Sequence, residues 1–155
     1  MTAGLDQAHS TMNSLIRSCR DAHYGYRLAS ESAIDSNLKR LFSIYAHQRT
    51  RFAEELRGYL GETDQDAKGS PDCSDWLQSN PNTDRELLQN CLKADRQLLD
   101  LYQQAMKTGI SAKAQFLLSA QFSLIQRVHE RINGLLDGSP KPAGRISVSV
   151  ERAVL

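Results

Sequence analysis

The sequence predicts an all-α protein, a four-helix bundle of two antiparallel hairpins joined by a long connection. Two observations support this fold class. The four prolines fall at positions 71, 81, 140 and 142 and leave two long proline-free blocks, and proline is the residue that a helix interior excludes most strongly. Within each block, apolar residues recur at steps of three and four, the spacing of one helix face. Four amphipathic helices of about 22–26 residues pack as a bundle.

The first block contains two predicted helices. The inward stripe of the first comprises Met12, Leu15, Ile16, Cys19, His23, Tyr26 and Ala29. The pattern breaks near residues 34–37, where Asp35 or Ser36 can cap a new helix by accepting hydrogen bonds from its free N–H groups. The second stripe comprises Leu38, Leu41, Phe42, Tyr45, Gln48, Phe52, Leu56 and Tyr59. It ends at Gly58 or Gly61, and the short turn makes the two helices antiparallel neighbours.

The second block contains the other two helices. Thr83 and Glu86 form a capping box that opens the third helix, and Gly109 closes it. Its stripe comprises Leu87, Leu88, Cys91, Asp95, Leu98, Tyr102 and Ala105. The fourth helix is predicted from about Ser111 to the stop at residues 138–140. Its inward residues are Leu117, Leu118, Gln121, Phe122, Ile125, Val128, His129, Ile132, Leu135 and Leu136.

The connection, residues 61–82, is polar and rich in turn residues, with Trp76 predicted to cap one end of the core. Loops of this length are uncommon unless they have a task. About 22 extended residues reach far beyond a helix of the same length, roughly 33 Å, so the connection is long enough to cross the bundle. The domain is predicted to span residues 5–138, with a flexible or loosely docked short C-terminal tail at 139–155. A strand at 146–150 that pairs with a partner's edge is the alternative for the tail.

Composition excludes several classes of function. The chain has 19 lysines and arginines against 18 acidic residues, a formal net charge of +1, so no global cationic field is present to hold nucleic acid or an anionic membrane. No window approaches the run of about 18 apolar residues that a membrane-spanning helix needs. The first residues lack the pattern of a secretory signal. Because Cys19, Cys73 and Cys91 are an odd set without metal-site spacing, and the chain is too long to need disulfides, we expect a reduced, cytoplasmic protein.

A few polar residues on the inward stripes are the candidates for a functional site. They are His23, Glu31, Gln48, Asp95, Gln121 and His129. If the connection crosses the bundle, the second and third helices run parallel, and all of them except Glu31 and His129 lie within about a turn of one level. Glu31 and His129 then lie together nearer one end. If the connection does not cross, the hairpins are inverted relative to each other, and the candidate residues no longer lie at a common level.

The same residues include types that can act as metal ligands. An imidazole with two carboxylates in a bundle core can hold a transition metal, and such sites use Glu-x-x-His pairs. The sequence contains no Glu-x-x-His, and its nearest matches are Asp6-x-x-His9 and Gln126-x-x-His129. Because an amide carries no charge, the pattern favours hydrogen-bonded core residues over ligands. No catalytic residue, metal or cofactor is predicted.

The arginines of the second helix are assigned to the surface. Arg49, Arg51 and Arg57 are interleaved with Glu54 and Glu55. This pattern is typical of a solvated face with i, i+4 ion pairs.

Four runs of spaced residues carry a family resemblance. They are Leu15-Ile16-x-x-Cys19-x-Asp21-x-x-x-Gly25-Tyr26 with Ala29-x-Glu31; Leu38-x-x-Leu41-Phe42-x-x-Tyr45-Ala46-x-Gln48-Arg49-x-x-Phe52-x-x-Glu55-Leu56; Cys91 to Tyr102-Gln103-x-Ala105; and Gln121-x-x-x-Ile125-x-x-x-His129-x-x-Ile132. Together, over about residues 10–137, they resemble a bacterial ferritin-like family of small four-helix bundles whose domain is of unknown function. The resemblance implies a ferritin-like bundle without an established activity.

The chain departs from the pattern of that family at two places. Members carry a glutamate-rich start to the third helix, whereas residues 90–96 keep a carboxylate only at Asp95. The connection also lacks much of the usual segment around its tryptophan. Both departures argue against a di-metal centre, although Glu31 and His129 match family positions.

Three functions remain open at this point. The first is a non-catalytic helical bundle that acts on a protein partner or associates as a homo-oligomer, in bacterial stress physiology. The alternative is a metal-binding (Fe or Mn) oxidoreductase or storage-type protein, with ligands drawn from His23, Glu31, Asp95 and His129. The third is a module that binds a partner through its tail.

Overall fold

The computed structural model of the chain describes residues 2–61 and 83–137 and confirms an all-α four-helix bundle. The helices are α1 (Thr2–Ser32), α2 (Ser36–Leu60), α3 (Asp84–Met106) and α4 (Ala112–Leu136). The predictions for Cys73, for Trp76 and for the tail at 139–155 lie outside the described residues. Within the described ranges, none of the helices is long and apolar enough to span a bilayer.

Side chains in and just after the turn between α1 and α2 stabilise the end of α1 and the start of α2. Asp35 is the N-cap of α2, as predicted, and its carboxylate accepts a hydrogen bond from the N–H of Leu38 at 3.1 Å. Lys39 reaches back to the last turn of α1, where its Nζ lies 3.2 Å from the carbonyl oxygens of both Ser30 and Glu31. A cation at this place satisfies free carbonyls and complements the helix dipole.

Three further helix ends also follow local sequence signals, whereas the prediction that Gly109 closes α3 is wrong, since α3 ends at Met106 with Lys107 as its C-cap. Gly61 caps α2 with φ 70°, a left-handed conformation that favours glycine. Thr83 and Glu86 form the predicted capping box: the Thr83 hydroxyl accepts from the N–H of Glu86 at 3.1 Å, and the Glu86 carboxylate accepts from the N–H of Thr83 at 3.3 Å. Ser111 is the N-cap of α4.

Contacts at the two ends of the bundle fix the direction of each helix. At one end, here called end A, the N–H groups of Ile34 and Asp35 in the α1–α2 turn donate to the carboxylate of Asp84, at 2.8 and 2.9 Å. At the opposite end, end B, the hydroxyls of Tyr59 and Ser111 lie 2.6 Å apart. Since α2 begins at end A beside the start of α3, and ends at end B, α2 and α3 run parallel.

The connection therefore joins opposite ends of the bundle. Gly61 follows α2 at end B and Thr83 precedes α3 at end A. The 25 residues of α2 make a helix about 37 Å long, and the residues between Gly61 and Thr83 reach about 70 Å when fully extended. Of the two arrangements that the sequence allowed, the structure has the one in which α2 and α3 run parallel.

One face of each helix builds a single core. Its fully buried large side chains include Met12, Leu15, Tyr26, Phe42, Tyr45, Leu56, Tyr102, Leu118, Ile125 and Ile132. At its centre the ring of Tyr26 packs on those of Tyr45 and Phe42, with centroids 5.5 and 6.0 Å apart. Burial of one such side chain contributes about 1.5–3 kcal/mol. The prediction that Leu135 faces inward is wrong, because this residue near the end of α4 is 37% exposed.

Candidate functional site

The centre of the bundle holds a buried ion pair between Arg49 on α2 and Asp95 on α3. Neither side chain has any exposed surface, and Nη2 of Arg49 donates to Oδ2 of Asp95 at 2.8 Å. The prediction that Arg49 belongs to a solvated face is therefore wrong. Because removal of a charge from water costs several kcal/mol, each group depends on the other for compensation.

Helical spacing explains why Arg49 lies inside and its neighbour Arg51 outside. Arg49 follows Tyr45 by four residues and precedes Phe52 by three, which places it on the same face as these two buried residues. Arg51 does not share that spacing, is exposed, and lies 4.0 Å from Glu55. The sequence signal was present in the 3–4 spacing, but alternation of charges along α2 favoured the opposite interpretation.

Other polar and aromatic groups surround the pair. The hydroxyl of Tyr26 donates to Oδ2 of Asp95, and Nη1 of Arg49 donates to Oε1 of Gln48. The guanidinium carbon of Arg49 lies 5.3 Å from the ring centroid of Tyr26 and 6.0 Å from that of Phe52, within the range of cation–π attraction. The cation is thus held by a carboxylate, an amide oxygen and two aromatic rings.

The ion pair is monodentate rather than bidentate, since one nitrogen of Arg49 bonds one oxygen of Asp95. Oδ1 of Asp95 and Nε of Arg49 are buried and have no hydrogen-bond partner among the described residues. A bidentate ion pair would have used both of these atoms. The arrangement therefore compensates charge without satisfying every polar atom, which limits its net contribution to stability.

A second chain of hydrogen bonds lies nearer end B and links all four helices. The hydroxyl of Tyr102 on α3 donates to Oε1 of Gln121 on α4 at 2.6 Å and lies 3.3 Å from Sγ of Cys19 on α1. Nε2 of Gln121 then donates to two acceptors on α2, the carbonyl of Phe52 at 3.3 Å and the carboxylate of Glu55 at 2.9 Å. We call the two sets of bonds together the core network.

Burial and charge set the protonation states of the core network. Burial, with the charge of Asp95 added, raises the pKa of Tyr26 and of the Cys91 thiol well above their ordinary values. Burial also raises the pKa of Cys19 to about 11. Burial alone would lower the pKa of Arg49, but the carboxylate of Asp95 outweighs it and the net pKa is raised. At pH 7 the arginine is therefore charged, while the thiols and the tyrosine keep their protons.

The structure separates the six candidate residues. Gln48, Asp95 and Gln121 are buried and belong to the core network. Glu31 is not an inward residue: its side chain is 63% exposed and lies 3.6 Å from Arg27 on the same face of α1. Gln121 is also displaced from the predicted common level, because its partner Tyr102 stands two turns beyond Asp95 toward end B.

The two histidines lie at the edge of the core. His23 is partly buried, with Nδ1 2.7 Å from the hydroxyl of Thr50 and 3.0 Å from the carbonyl of Ala46. His129 is also partly buried on α4, and desolvation lowers its pKa while the charge of Asp95 opposes that shift. Both side chains therefore act as rim residues of the core.

The residues considered as metal ligands do not fit that role together. Glu31 faces solvent, and Oδ2 of Asp95 already accepts from Tyr26 and Arg49. Across residues 8–61 and 83–137, whose side chains the structure describes, no group of three histidine, cysteine, aspartate or glutamate side chains is arranged to hold a metal ion. His23 and His129 are therefore not accompanied, among these residues, by the further ligands that a metal site needs.

A groove of about 300 Å³ lies between α1 and α3 toward end B. It is lined by Thr11, Ser14, Leu15, Leu101, Gln104 and Thr108. No residue of the core network lines this groove, so it gives no access to the ion pair.

These features define a four-helix bundle in which α2 and α3 run parallel around a closed, charge-compensated centre. A family model described as a domain of unknown function (DUF2383) matches residues 7–74, a range that includes Arg49 but not Asp95. Over this part of the chain the protein is similar to a domain whose function is not known. A search of curated proteins gives no match.

Proposed function

We propose that this protein is a non-catalytic, ferritin-like helical bundle that works by self-association, with a second copy of the chain as its partner. In line with the family resemblance, we place it in the bacterial cytoplasm, with a role in stress physiology. The Arg49–Asp95 pair is the observation that supports the non-catalytic part of this proposal most directly.

The pair supports a non-catalytic role because it fills the position where bundle proteins build reactive centres. Metal sites in bundles place carboxylates and imidazoles of facing helices around a cation. In this chain the guanidinium of Arg49 supplies that positive charge and occupies the carboxylate of Asp95. A further unit charge about 4 Å from the guanidinium would be repelled by about 4 kcal/mol at an effective dielectric constant of 20. The alternative of an Fe or Mn protein is therefore disfavoured.

The way in which the hairpins recognise each other supports self-association. The Asp95 carboxylate in the α3–α4 hairpin accepts hydrogen bonds from Tyr26 and Arg49, which both belong to the α1–α2 hairpin. Gln121 likewise donates across to Phe52 and to Glu55. These contacts are made between the two hairpins of one chain, and we propose that a second copy of the chain uses the same complementarity.

Light scattering over a wide range of protein concentration tests the proposal. We expect a molar mass of at least twice that of one chain, together with a circular dichroism spectrum typical of helices. A monomer at every concentration would contradict self-association. Metal analysis of protein purified without a histidine tag tests the non-catalytic part of the proposal. Stoichiometric Fe or Mn that is lost in Asp95→Ala would favour the metal-binding alternative.

A further inference from the structure

We infer that two copies of the chain associate through the outer face of α4, which packs antiparallel on the same face of a second copy around a two-fold axis. The inference rests on the self-association proposed above and assigns it a surface. This surface, here called the α4 face, has six positions spaced alternately by three and four residues: Lys113, Phe116, Ala120, Ser123, Arg127 and Glu130.

The α4 face lies on the solvent side of its helix. All six positions are exposed, and their spacing keeps them on one side of α4 over about 26 Å of helix length. The buried residues of α4, among them Leu118, Ile125 and Ile132, lie on the opposite side. The core of the bundle therefore does not use this face, and a second copy reaches it without separating the hairpins.

Phe116 is the large apolar residue of the α4 face. It is 77% exposed, whereas phenylalanine is among the residues that proteins most often bury. Aromatic residues are also enriched in the contact surfaces between proteins. A single exposed apolar residue is nevertheless common on protein surfaces, and what distinguishes Phe116 is the pattern of charges on the face around it.

That pattern of charges is complementary to itself when the helix is reversed. A two-fold axis that passes α4 between positions 121 and 122 brings Lys113 opposite Glu130 of the second copy. The same axis brings Phe116 opposite Arg127 of the second copy, where the guanidinium and the ring attract each other. Because a two-fold contact uses the same patch on both copies, each of these pairs forms twice.

The middle of the α4 face permits close approach of the two helices. Ala120 lies opposite Ser123 of the second copy, and both side chains are small, so the helix axes fit at the short end of the usual separation of about 8–10 Å. At such a separation the long side chains of Lys113 and Arg127 reach across to the second copy from either side of the axis.

The α4 face would repeat, between copies, the two kinds of contact found at the centre of the bundle. There Arg49 forms an ion pair with Asp95, and its guanidinium carbon lies 5.3 Å from the ring centroid of Tyr26. A single pair of helices covers less area than the roughly 1,200–2,000 Å² of a stable interface. We therefore expect a dimer that dissociates on dilution.

Reversal of charge at the ends of the α4 face tests the inference in the full chain. Glu130→Lys sets cation against cation, and Lys113→Glu sets carboxylate against carboxylate. Each single variant is expected to raise the dissociation constant of the dimer about tenfold or more, because like charges then face each other twice. The double variant Lys113→Glu/Glu130→Lys exchanges the two charges and is expected to restore the parent dimer.

Phe116→Lys tests the centre of the same surface, since it sets a cation against Arg127 of the second copy. Its control is Ile34→Lys, which changes another apolar residue with 77% exposure. Lys93→Glu, at an exposed position of α3, is the control for charge reversal. Only Phe116→Lys among these three is expected to raise the dissociation constant, and circular dichroism verifies that each variant keeps its helix content.

A single introduced cysteine tests the antiparallel register. In the proposed dimer, the two copies of position 120 lie about 4.5 Å apart along the helix direction, whereas the two copies of position 113 lie about 26 Å apart. We would combine Ala120→Cys or Lys113→Cys with Cys73→Ser, since the other native thiols, Cys19 and Cys91, are buried. Treatment with a short bis-maleimide is expected to give a two-chain product for Ala120→Cys alone.

The outcomes separate this inference from the proposed function. A dimer that the single charge reversals weaken and the double variant restores supports the α4 face. A dimer that resists both charge reversals and Phe116→Lys, or a double variant that stays dissociated, would overturn the α4 face and leave self-association standing. A two-chain product for Lys113→Cys without one for Ala120→Cys would do the same. A parent protein that is a monomer at every concentration would overturn both.

Discussion

Arg49 and Asp95 meet at the centre of the bundle, with 2.8 Å between Nη2 and Oδ2 and no exposed side-chain surface on either residue. The pair joins the second helix of one hairpin to the first helix of the other. It is therefore both the electrostatic centre of the molecule and the point at which the two hairpins are held in register.

Loss of either member of this pair is expected to destabilise the protein strongly. Asp95→Leu or Arg49→Met leaves one buried charge without compensation, which costs about 3–5 kcal/mol. Because the contact is monodentate, and Asp95 Oδ1 and Arg49 Nε have no hydrogen-bond partner in the part of the chain that the structure describes, the double variant Arg49→Met/Asp95→Leu is expected to recover most of that loss. Urea unfolding of all four proteins gives the coupling free energy. Single variants that lose less than about 1 kcal/mol would show that the pair is solvated.

The hydroxyl of Tyr26 is expected to contribute measurably to stability. Tyr26→Phe removes the donor to Oδ2 of Asp95 while the ring stays in place, and loss of such a buried hydrogen bond costs about 1–3 kcal/mol. Tyr24→Phe is the matched control, because Tyr24 is only partly buried on the same helix. Thermal unfolding compares the two, and equal midpoints would contradict the role given to Tyr26.

The stability of the fold is expected to fall in mild acid through His129. Desolvation lowers the pKa of His129 in the folded protein below its ordinary 6.5, so the unfolded chain binds the proton more tightly. Stability is therefore full above about pH 6.5 and is lost as the pH falls toward the lower folded pKa. Charged groups near the ring, Asp95, Arg96 and Glu130, modulate this effect.

The variant His129→Gln tests the source of that acid sensitivity. It is expected to flatten the dependence of the unfolding free energy on pH between neutral and mildly acid solution. His47→Gln changes an exposed histidine on α2 and serves as the control. An unchanged slope in His129→Gln would assign the effect to other groups.

Asp84 is expected to tie the two hairpins together at end A. Asp84→Ala removes the acceptor for the N–H groups of Ile34 and Asp35, with a loss of about 1–3 kcal/mol. Hydrogen exchange of these two amides should accelerate. Asp100→Ala on the exposed face of the same helix should change neither quantity, and similar losses in both variants would indicate a general charge effect.

The two thiols of the core are expected to be inert in the folded state. Burial keeps Cys19 protonated, with its pKa raised to about 11, and raises the pKa of Cys91 well above its ordinary value, whereas the thiolate is the reactive form. In a Cys73→Ser background, neither should react with iodoacetamide until the chain unfolds. Fast labelling of the native protein, measured by mass spectrometry, would contradict this burial.

The helices and their ends could be derived from the sequence because their causes are local. The apolar spacing of α1 and α2, the cap at Asp35, the capping box of Thr83 and Glu86, and the glycine at Gly61 each act within a turn of where they stand. Such signals need no knowledge of distant residues.

The candidate site was only partly accessible in the same way. Asp95 and Gln121 could be assigned to the interior because their stripes are otherwise apolar, and the structure buries both. The spacing of Glu31 and Arg49 was compatible with an inward position, but spacing alone does not decide it, since a charged side chain faces inward only where a partner compensates it. Arg49 has that partner in Asp95, 46 residues away, whereas the carboxylate of Glu31 lies beside Arg27 in solvent.

The tertiary structure alone decided the direction of the second hairpin and the pairing at the centre. Both depend on contacts between residues far apart in sequence, as between Asp84 and the α1–α2 turn. Periodicity determines which face of a helix is apolar. It does not determine which charged group on a neighbouring helix will meet that face, because that follows from the packing of all four helices at once.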